Sequence, residues 1–415
     1  MKIIVQKFGG SSIDIGSLYE PNPELIMKAA RRVIAVQKKG YQVVVVVSAP
    51  GKHTDCLSQV ALSVSGRAVP SARELDMLLT TGEQISIALF SMALDKLGAR
   101  AISLTGHQLG IVTDSSHTKA KIKKIKTKNL KRLLEDGYIV VVAGFQGVSK
   151  KDITTLGRGG SDLTAVALAS VLGAEHCEIF TDVDGVFTAD PRMVPAAKKI
   201  SRISYEEMLE MASAGARVMQ ARSLGFAQKY NVVVHVRSSR HNRPGTLIGG
   251  EKKMLERVVI SGVTYDRNQA KISIVDIPDS PGVAAYLFGA LAEKNINVDM
   301  IIQSASKNGK NSISFSISRN DLKKTLEVMK KVKGRLKAKQ VIADAKIAKV
   351  SLVGLGMRTH AGVAAKMFKA LAGKKINIEM ISTSEIKISC VIREREVKKA
   401  VQAIHRKFNL GKQEK

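Results

Sequence analysis

The 415-residue chain has no tryptophan, three cysteines, nine prolines and an aromatic content of only 4%. Cys56, Cys177 and Cys390 are odd in number, far apart and in no CxxC or Cys/His pattern. They imply neither a disulfide framework nor a zinc site, and free thiols are expected. The eight histidines lack a spacing for metal or triad chemistry, so no metal site of the protein's own is expected. No unbroken apolar run approaches the roughly 20 residues that cross a bilayer. Met1 opens directly into a strand-like segment, with no signal or transit peptide in view, so a cytoplasmic, membrane-free location is expected. Acidic residues are also scarce, 36 against 66 Lys and Arg, for a formal net charge of +30. Its densest basic runs are 119–132 (KAKIKKIKTKNLKR) and 330–339 (KKVKGRLKAK). Neither interleaves aromatics for base stacking, and no zinc-finger, RNP or KH signature accompanies them. Both read as solvated helix or loop faces, and nucleic acid is not the expected partner.

What the chain does have is strand alternating with helix over its first 240 or so residues. Strand patterns fall at 2–7, 41–47, 99–104, 138–143, 178–181 and 232–237. Helical spacing falls at 24–38, 57–64, 72–80, 83–97 and 205–212. The runs YQVVVVV and YIVVVA are near-continuous, as strands covered on both faces are. The pattern predicts a three-layer α/β sandwich with a mainly parallel sheet over 1–245. A polar Gly-rich stretch at 240–253 (RHNRPGTLIGGEKK) marks the domain boundary, with the linker at 246–257. Beyond it, GVAAYLFGALAEKNINVDMI at 282–301 matches GVAAKMFKALAGKKINIEMI at 362–381, with 13 of 20 positions identical at an offset of 80. Each copy lies between strand patterns, giving two tandem α+β modules at 258–345 and 346–415. A strand at 258–263, before the first copy, is expected to complete the second module's sheet.

The most chemically loaded stretch is 154–169, TTLGRGGSDLTAVALA. Three glycines and Arg158 lead into a helix that Ser161 or Asp162 can cap, with one apolar side. Such a turn offers unpaired N–H groups and a positive dipole end to an anion, and Arg158 offers a planar fork. The plain alternative is that the glycines turn a corner and Arg158 pairs with Asp162. Four other loops share the bias: Lys7-Phe8-Gly9-Gly10, Ser48 to Asp55 with Thr54, Thr81-Gly82-Glu83, and Thr181-Asp182 running to Phe187 and Arg192. Each also has a structural reading, in turns or helix starts. In open parallel sheets, ligands sit beyond the carboxyl ends of the strands, so these loops should meet at one crevice.

QKFGGSS, TTGEQIS, GFQGV, TTLGRGGSDLTAVALA and TDVDGVFTADPR, in this order, resemble the aspartate kinases of the amino-acid kinase superfamily. PDSPGVAA and INVDMIIQ in the first repeat, and INIEMISTSEIKIS in the second, resemble that family's paired ACT regulatory domains. The match runs from about Met1 to Phe408. It implies transfer of the ATP γ-phosphoryl to the β-carboxylate of L-aspartate, giving 4-phospho-L-aspartate, the first step towards lysine, threonine and methionine. By the resemblance, Lys7 acts on the phosphoryl group, with Phe8, Gly9 and Gly10 cradling it. Arg158 and Gly159 hold the substrate α-carboxylate, Glu83 and Asp162 take its ammonium or orient Lys7, and Ser48 and Thr54 complete the pocket. Thr181, Asp182, Phe187, Arg192, Arg217, Val218 and Met219 match the nucleotide segments, Arg217 standing where the family usually has lysine. Mg²⁺ is expected to arrive with ATP.

The ACT resemblance also implies feedback by lysine, threonine or both, and a homo-oligomer formed through these modules. Asp279, Ser280, Pro281, Gly282, Ala284, Asn297, Val298, Asp299 and Gln303 are the expected effector contacts of the first copy. Gly362, Val363, Ile376, Asn377 and Thr383 are those of the second. The alternatives are another amino-acid kinase or a non-catalytic ACT sensor.

Overall fold

The computed structural model describes residues 2–16, 20–66, 70–216, 218–250, 260–358 and 360–411. The chain divides into two compact units, one built from Met1–Val186, Lys199–Ala212 and Arg217–Met254, the other from Phe187–Lys198, Ser213–Ala216 and Leu255–Lys415.

The first unit is organised by an eight-stranded sheet. Its order is Arg202–Ser204, Thr246–Gly249, Val234–Ser238, Cys177–Thr181, Ile3–Phe8, Gln42–Val47, Ile139–Ala143 and Ala101–Leu104. Every neighbouring pair is parallel except Val234–Ser238 with Thr246–Gly249. The strand Thr246–Gly249 lies inside the stretch expected to be linker. The central strands are covered on both faces, and Val43 to Val47 are buried without a gap, which is why they read as continuous β-branched runs. The three cysteines are free, Cys177 and Cys390 in the interior and Cys56 at the surface.

Two stretches differ from the sequence expectation. The helices expected at 72–80 and 83–97 are a single helix, Ala72–Lys96, that passes through Gly82. Glycine interrupts a helical pattern on paper, but here a Cβ at Gly82 would stand 2.6 Å from the Cβ of Ala49. The helix keeps glycine because the loop after the Gln42–Val47 strand presses against it. This helix is long and apolar enough to cross a membrane by composition, yet Leu79, Ile87, Phe90 and Leu94 bury it in the core. A second, four-stranded sheet, Ile122–Ile125, Ile111–Thr113, Gln146–Ser149 and Asp152–Thr155, was not evident in the sequence. Its strands are three or four residues long, too short for period-2 alternation to register.

The second unit is one six-stranded sheet shared by both repeats, in the order Val298–Gln303, Lys310–Ser318, Gly262–Pro278, Gln340–Val353, Lys387–Arg393, Met380–Thr383. Residues 262–266 of the long first strand pair with 349–353 of the second module. The strand ahead of the first repeat thus completes the second module's sheet, although it begins at Gly262 rather than 258. Residues 251–259 lie outside the described set. Helices Val283–Ala292 and Leu322–Arg335 cover one half of the sheet, and Val363–Ala372 and Val397–Lys407 the other.

Candidate active site

The loops beyond the carboxyl ends of the first sheet's strands are stitched together by the backbone. Gly9 N–H donates to the Phe180 carbonyl (3.2 Å), Ser48 N–H to Phe8 (3.2 Å), Gly144 N–H to Val47 (3.0 Å) and Gly51 N–H to Gly10 (3.1 Å). A Cβ at Gly10 would lie 2.7 Å from the Ala49 carbonyl oxygen and 2.8 Å from that of Gly51. Only a residue without a side chain lets these loops close, which fixes the glycine of the KFGG turn.

Lys7, one residue before the end of its strand, is buried and puts Nζ 2.6 Å from Asp162 Oδ1. Asp162 stands in the first turn of the helix Gly160–Leu172. Neither Ser161 nor Asp162 caps this helix. Its N-cap is Gly159, in the left-handed region at φ 73°, which frees the Asp162 carboxylate for the lysine. The helix is buried nearly all round rather than along one side. Gly144 admits it, since a Cβ there would stand 2.7 Å from that of Ser161. Arg158 therefore does not pair with Asp162. It is exposed, four residues before Asp162 and between two left-handed glycines, Gly157 and Gly159.

Glu83 is the third titratable group expected at this site. It is 3% exposed, and Oε1 accepts the Ala49 N–H at 3.0 Å. Oε2 is buried with no hydrogen-bond partner. Burial pushes the carboxyl up to about 8, so it carries a proton at neutral pH. Glu83 is tied to the Ala49 loop that presses on Gly10, and as a neutral acid with a free Oε2 it can take a cation, since an ammonium there would favour its ionised form.

The remaining expected residues divide. Ser48 and Thr54 are half-buried, Ser48 immediately after its strand and Thr54 in the first turn of the helix His53–Ser65. Phe8 is fully buried and stacks on Phe180 with centroids 4.7 Å apart, so its ring belongs to the core. Thr181 donates to the exposed Asp182 carboxylate at 3.1 Å. Val218 is half-buried and Met219 buried. The following residue, Gln220, abuts Gly159, where a Cβ would meet its Cγ at 2.1 Å. That segment therefore lies against the Arg158 loop. Arg217 lies outside the described residues. Phe187 and Arg192 belong to the 187–198 segment of the second unit, where Asp190 holds the Arg192 guanidinium at 2.8 Å.

Some supporting groups gave no sequence signal. Asp76, fully buried, accepts from Thr155 Oγ1 (2.6 Å) and the Thr118 N–H (3.1 Å), and lies 2.7 Å from His117 Nδ1. Arg222 donates to the Leu156 and Ala120 carbonyls, each at 2.6 Å. Both brace the entry to the Gly157–Gly160 turn. His176, Glu178 and His235 bring ligand atoms within 4.8 Å of one another across neighbouring strands, a grouping that linear spacing hides. Glu178 is already taken, however, by Arg237 and by Gln6, each at 2.6 Å.

In the second unit, Asp279 accepts from Asn311 at 3.0 Å, and Gly282 and Gly362 are left-handed N-caps of equivalent helices. Ser280 and Pro281 lie in the loop before Gly282, with Ala284, Asn297, Gln303, Asn377 and Thr383 exposed and Val298 half-buried. Val363 and Ile376 are core residues of the second module. Asp299 is not free to receive an effector. It pairs with the buried Lys349 of the second module, and Glu379, its counterpart in the repeat, pairs with Lys271 of the first.

The amino acid kinase family model matches residues 2–238, and an ACT domain model matches 272–332 and 350–408. The chain belongs to the amino acid kinase family, an ATP-dependent kinase domain followed here by paired ACT domains. The aspartokinase of Mycolicibacterium smegmatis is 49% identical over 417 residues, covering 99% of this chain and 97% of that one. The aspartokinase of Pseudomonas aeruginosa is 49% identical over 413 residues, covering 99% and 98%. Escherichia coli aspartokinase III in complex with aspartate and ADP superposes with a TM-score of 0.82 at 26% identity, over 98% of this chain and 99% of that one. Within the family, the chain belongs with the aspartokinases.

Proposed function

We propose that Lys7, Asp162, Glu83 and Arg158 form the cleft in which this aspartate kinase passes the ATP γ-phosphoryl to the β-carboxylate of L-aspartate. The observation that carries this assignment is the buried Lys7–Asp162 pair, and the neutral, half-satisfied Glu83 on the Ala49 loop that closes over Gly10 supports it. Phosphoryl transfer asks for alignment and charge neutralisation rather than covalent chemistry from the protein. Lys7 meets the charge developing on the transferring group, and Asp162 holds its ammonium in place. Gly9 and Gly10 let the backbone approach the phosphates. Arg158 takes the aspartate α-carboxylate in its fork, and Glu83 gives up its proton when the α-ammonium arrives. Ser48, Thr54 and Gly159 line the aspartate side, and Thr181, Asp182, Val218 and Met219 the nucleotide side.

The charge inventory suits Mg²⁺ carried in on the nucleotide. Asp162 is occupied by Lys7 and Glu83 is protonated, leaving Asp182 as the exposed carboxylate at a strand end. Asp182 would offer the one oxygen donor needed by a Mg²⁺ that keeps most of its waters. Held there, the ion would neutralise phosphate charge.

Lysine, threonine or both are the proposed effectors, bound by the ACT pair through the Asp279–Gly282 loop and through Asn297, Val298 and Gln303. The E. coli enzyme has been solved with lysine and aspartate in its T-state. The edge strands Val298–Gln303 and Met380–Thr383 leave Ile301 and Ile381 55% and 42% exposed at equivalent positions of the repeat. Unpaired edges with exposed apolar groups favour a homo-oligomer through these modules, in a cytoplasmic enzyme. An ADP-release assay with aspartate, glutamate and acetylglutamate tests the reading. Turnover with aspartate alone is expected; turnover with one of the others, or with none, overturns it.

A further inference from the structure

Much of the basic surplus is dispersed, but in the ACT pair part of it lines a cavity. The strands Gly262–Pro278 and Gln340–Val353 run antiparallel through both modules, and their ladder shifts register between Asp266 and Gln269 and again between Gln269 and Lys271. The first shift drops Arg267 out of the ladder, and the second drops Lys346 out of the facing strand. Bulges re-aim side chains and recur beside binding sites. Both displaced cations line a cavity of about 570 Å³, together with Arg393, Glu394 and Arg395.

The charges do not cancel. Arg393 is held by Asp344 and by Glu379, the latter at 2.8 Å from Nε, which fixes one wall. Glu394 is taken by Arg319 at 2.9 Å. Arg267, Lys346 and Arg395 are exposed and have no carboxylate partner among the described residues. Arg267 lies 5.9 Å over the Tyr265 ring, a contact that leaves its N–H donors available. Every described residue that lines the cavity is charged, four of the five positively. Guanidinium forks converging with a lysine suit phosphate oxygens, and the volume suits a small ligand.

We propose that this cavity is a binding site for a compact polyanion of phosphate chemistry, formed where the two ACT modules cross and separate from the kinase cleft. All its lining residues belong to the second unit. The test is calorimetric titration of the full chain with inorganic tripolyphosphate at physiological ionic strength. The kinase cleft can also take this probe, so the readout is the difference between proteins. Arg267→Ala/Arg395→Ala is expected to bind one tripolyphosphate fewer per chain than the unsubstituted protein, or to bind it at least tenfold more weakly at one site. Aspartate kinase turnover is expected to stay unchanged without the probe. Lys346→Gln, a milder surface change, should weaken the same event, and Arg395→Lys should retain it. Equal stoichiometry and affinity in all these proteins overturns the proposal. So does complete displacement by sulfate at matched ionic strength, which marks general screening rather than a shaped site.

Discussion

At the residue scale, the account rests on one buried ion pair and one neutral acid. Removing one partner of a buried pair leaves the other charged and unsolvated, at a cost of about 3–5 kcal/mol. Lys7→Met should therefore lose that much stability in a denaturant titration, as Asp162 loses its partner 2.6 Å away. Its kcat should fall by about 10²–10³, the usual loss when a charge-stabilising donor is removed from a reacting group. Glu83 sets a pH dependence whose sign is fixed. Its carboxyl holds a proton in the fold up to about 8, against an ordinary value of 4.5. The stability this brings is fully present below pH 4.5 and is lost as pH rises towards 8. Aspartate binding runs the other way, because only the ionised form attracts the α-ammonium. The KM for aspartate should fall as pH rises through 8, and Glu83→Gln should raise it and abolish that dependence. A KM profile unchanged by Glu83→Gln would detach Glu83 from the substrate.

At the scale of elements, the site depends on how closely strand-end loops approach one another. Gly10→Ala would drive a methyl into two backbone carbonyls that cannot yield as a side chain does. It should cut kcat/KM at least tenfold and lower the melting temperature, while Gly40→Ala, with open space around its Cβ position, should change only the melting temperature. Sequence alone revealed much of this arrangement. The β-branched run at 43–47, the KFGG turn and the helix after Gly160 announced a parallel sheet with glycine-rich loops at its strand ends, and the 80-residue repeat announced the paired modules. What stayed hidden was set by contacts distant in the chain. Gly82 sits inside a helix because Ala49 presses on it. Asp76 braces a turn about 80 residues away. The cross-strand His176–Glu178–His235 group escaped for the same reason, as did the Lys349 and Lys271 pairs that occupy Asp299 and Glu379.

At the scale of the whole molecule, a kinase domain and a regulatory sheet share one chain, and the reciprocal lysine–carboxylate pairs tie the two repeats into a single unit. Coupling requires an effector to favour one of two states of that unit. Lysine, threonine or the two together should lower aspartate kinase activity and raise the melting temperature of the protein. Lys349→Met, which releases Asp299, should shift the effector concentration for half-inhibition while leaving uninhibited kcat within about twofold. No change in activity or melting temperature with either amino acid would remove the regulatory reading and leave the kinase reading standing. The central claim is that Lys7 and Arg158 serve one cleft, the lysine acting on the phosphoryl group and the arginine on aspartate. Steady-state kinetics of Arg158→Ala, varying ATP and aspartate in turn, tests it most directly. The expected result is a KM for aspartate raised by about 10²-fold, as for loss of a charge-assisted contact, with the KM for ATP within about twofold. An unchanged KM for aspartate, or a defect confined to ATP, would contradict it.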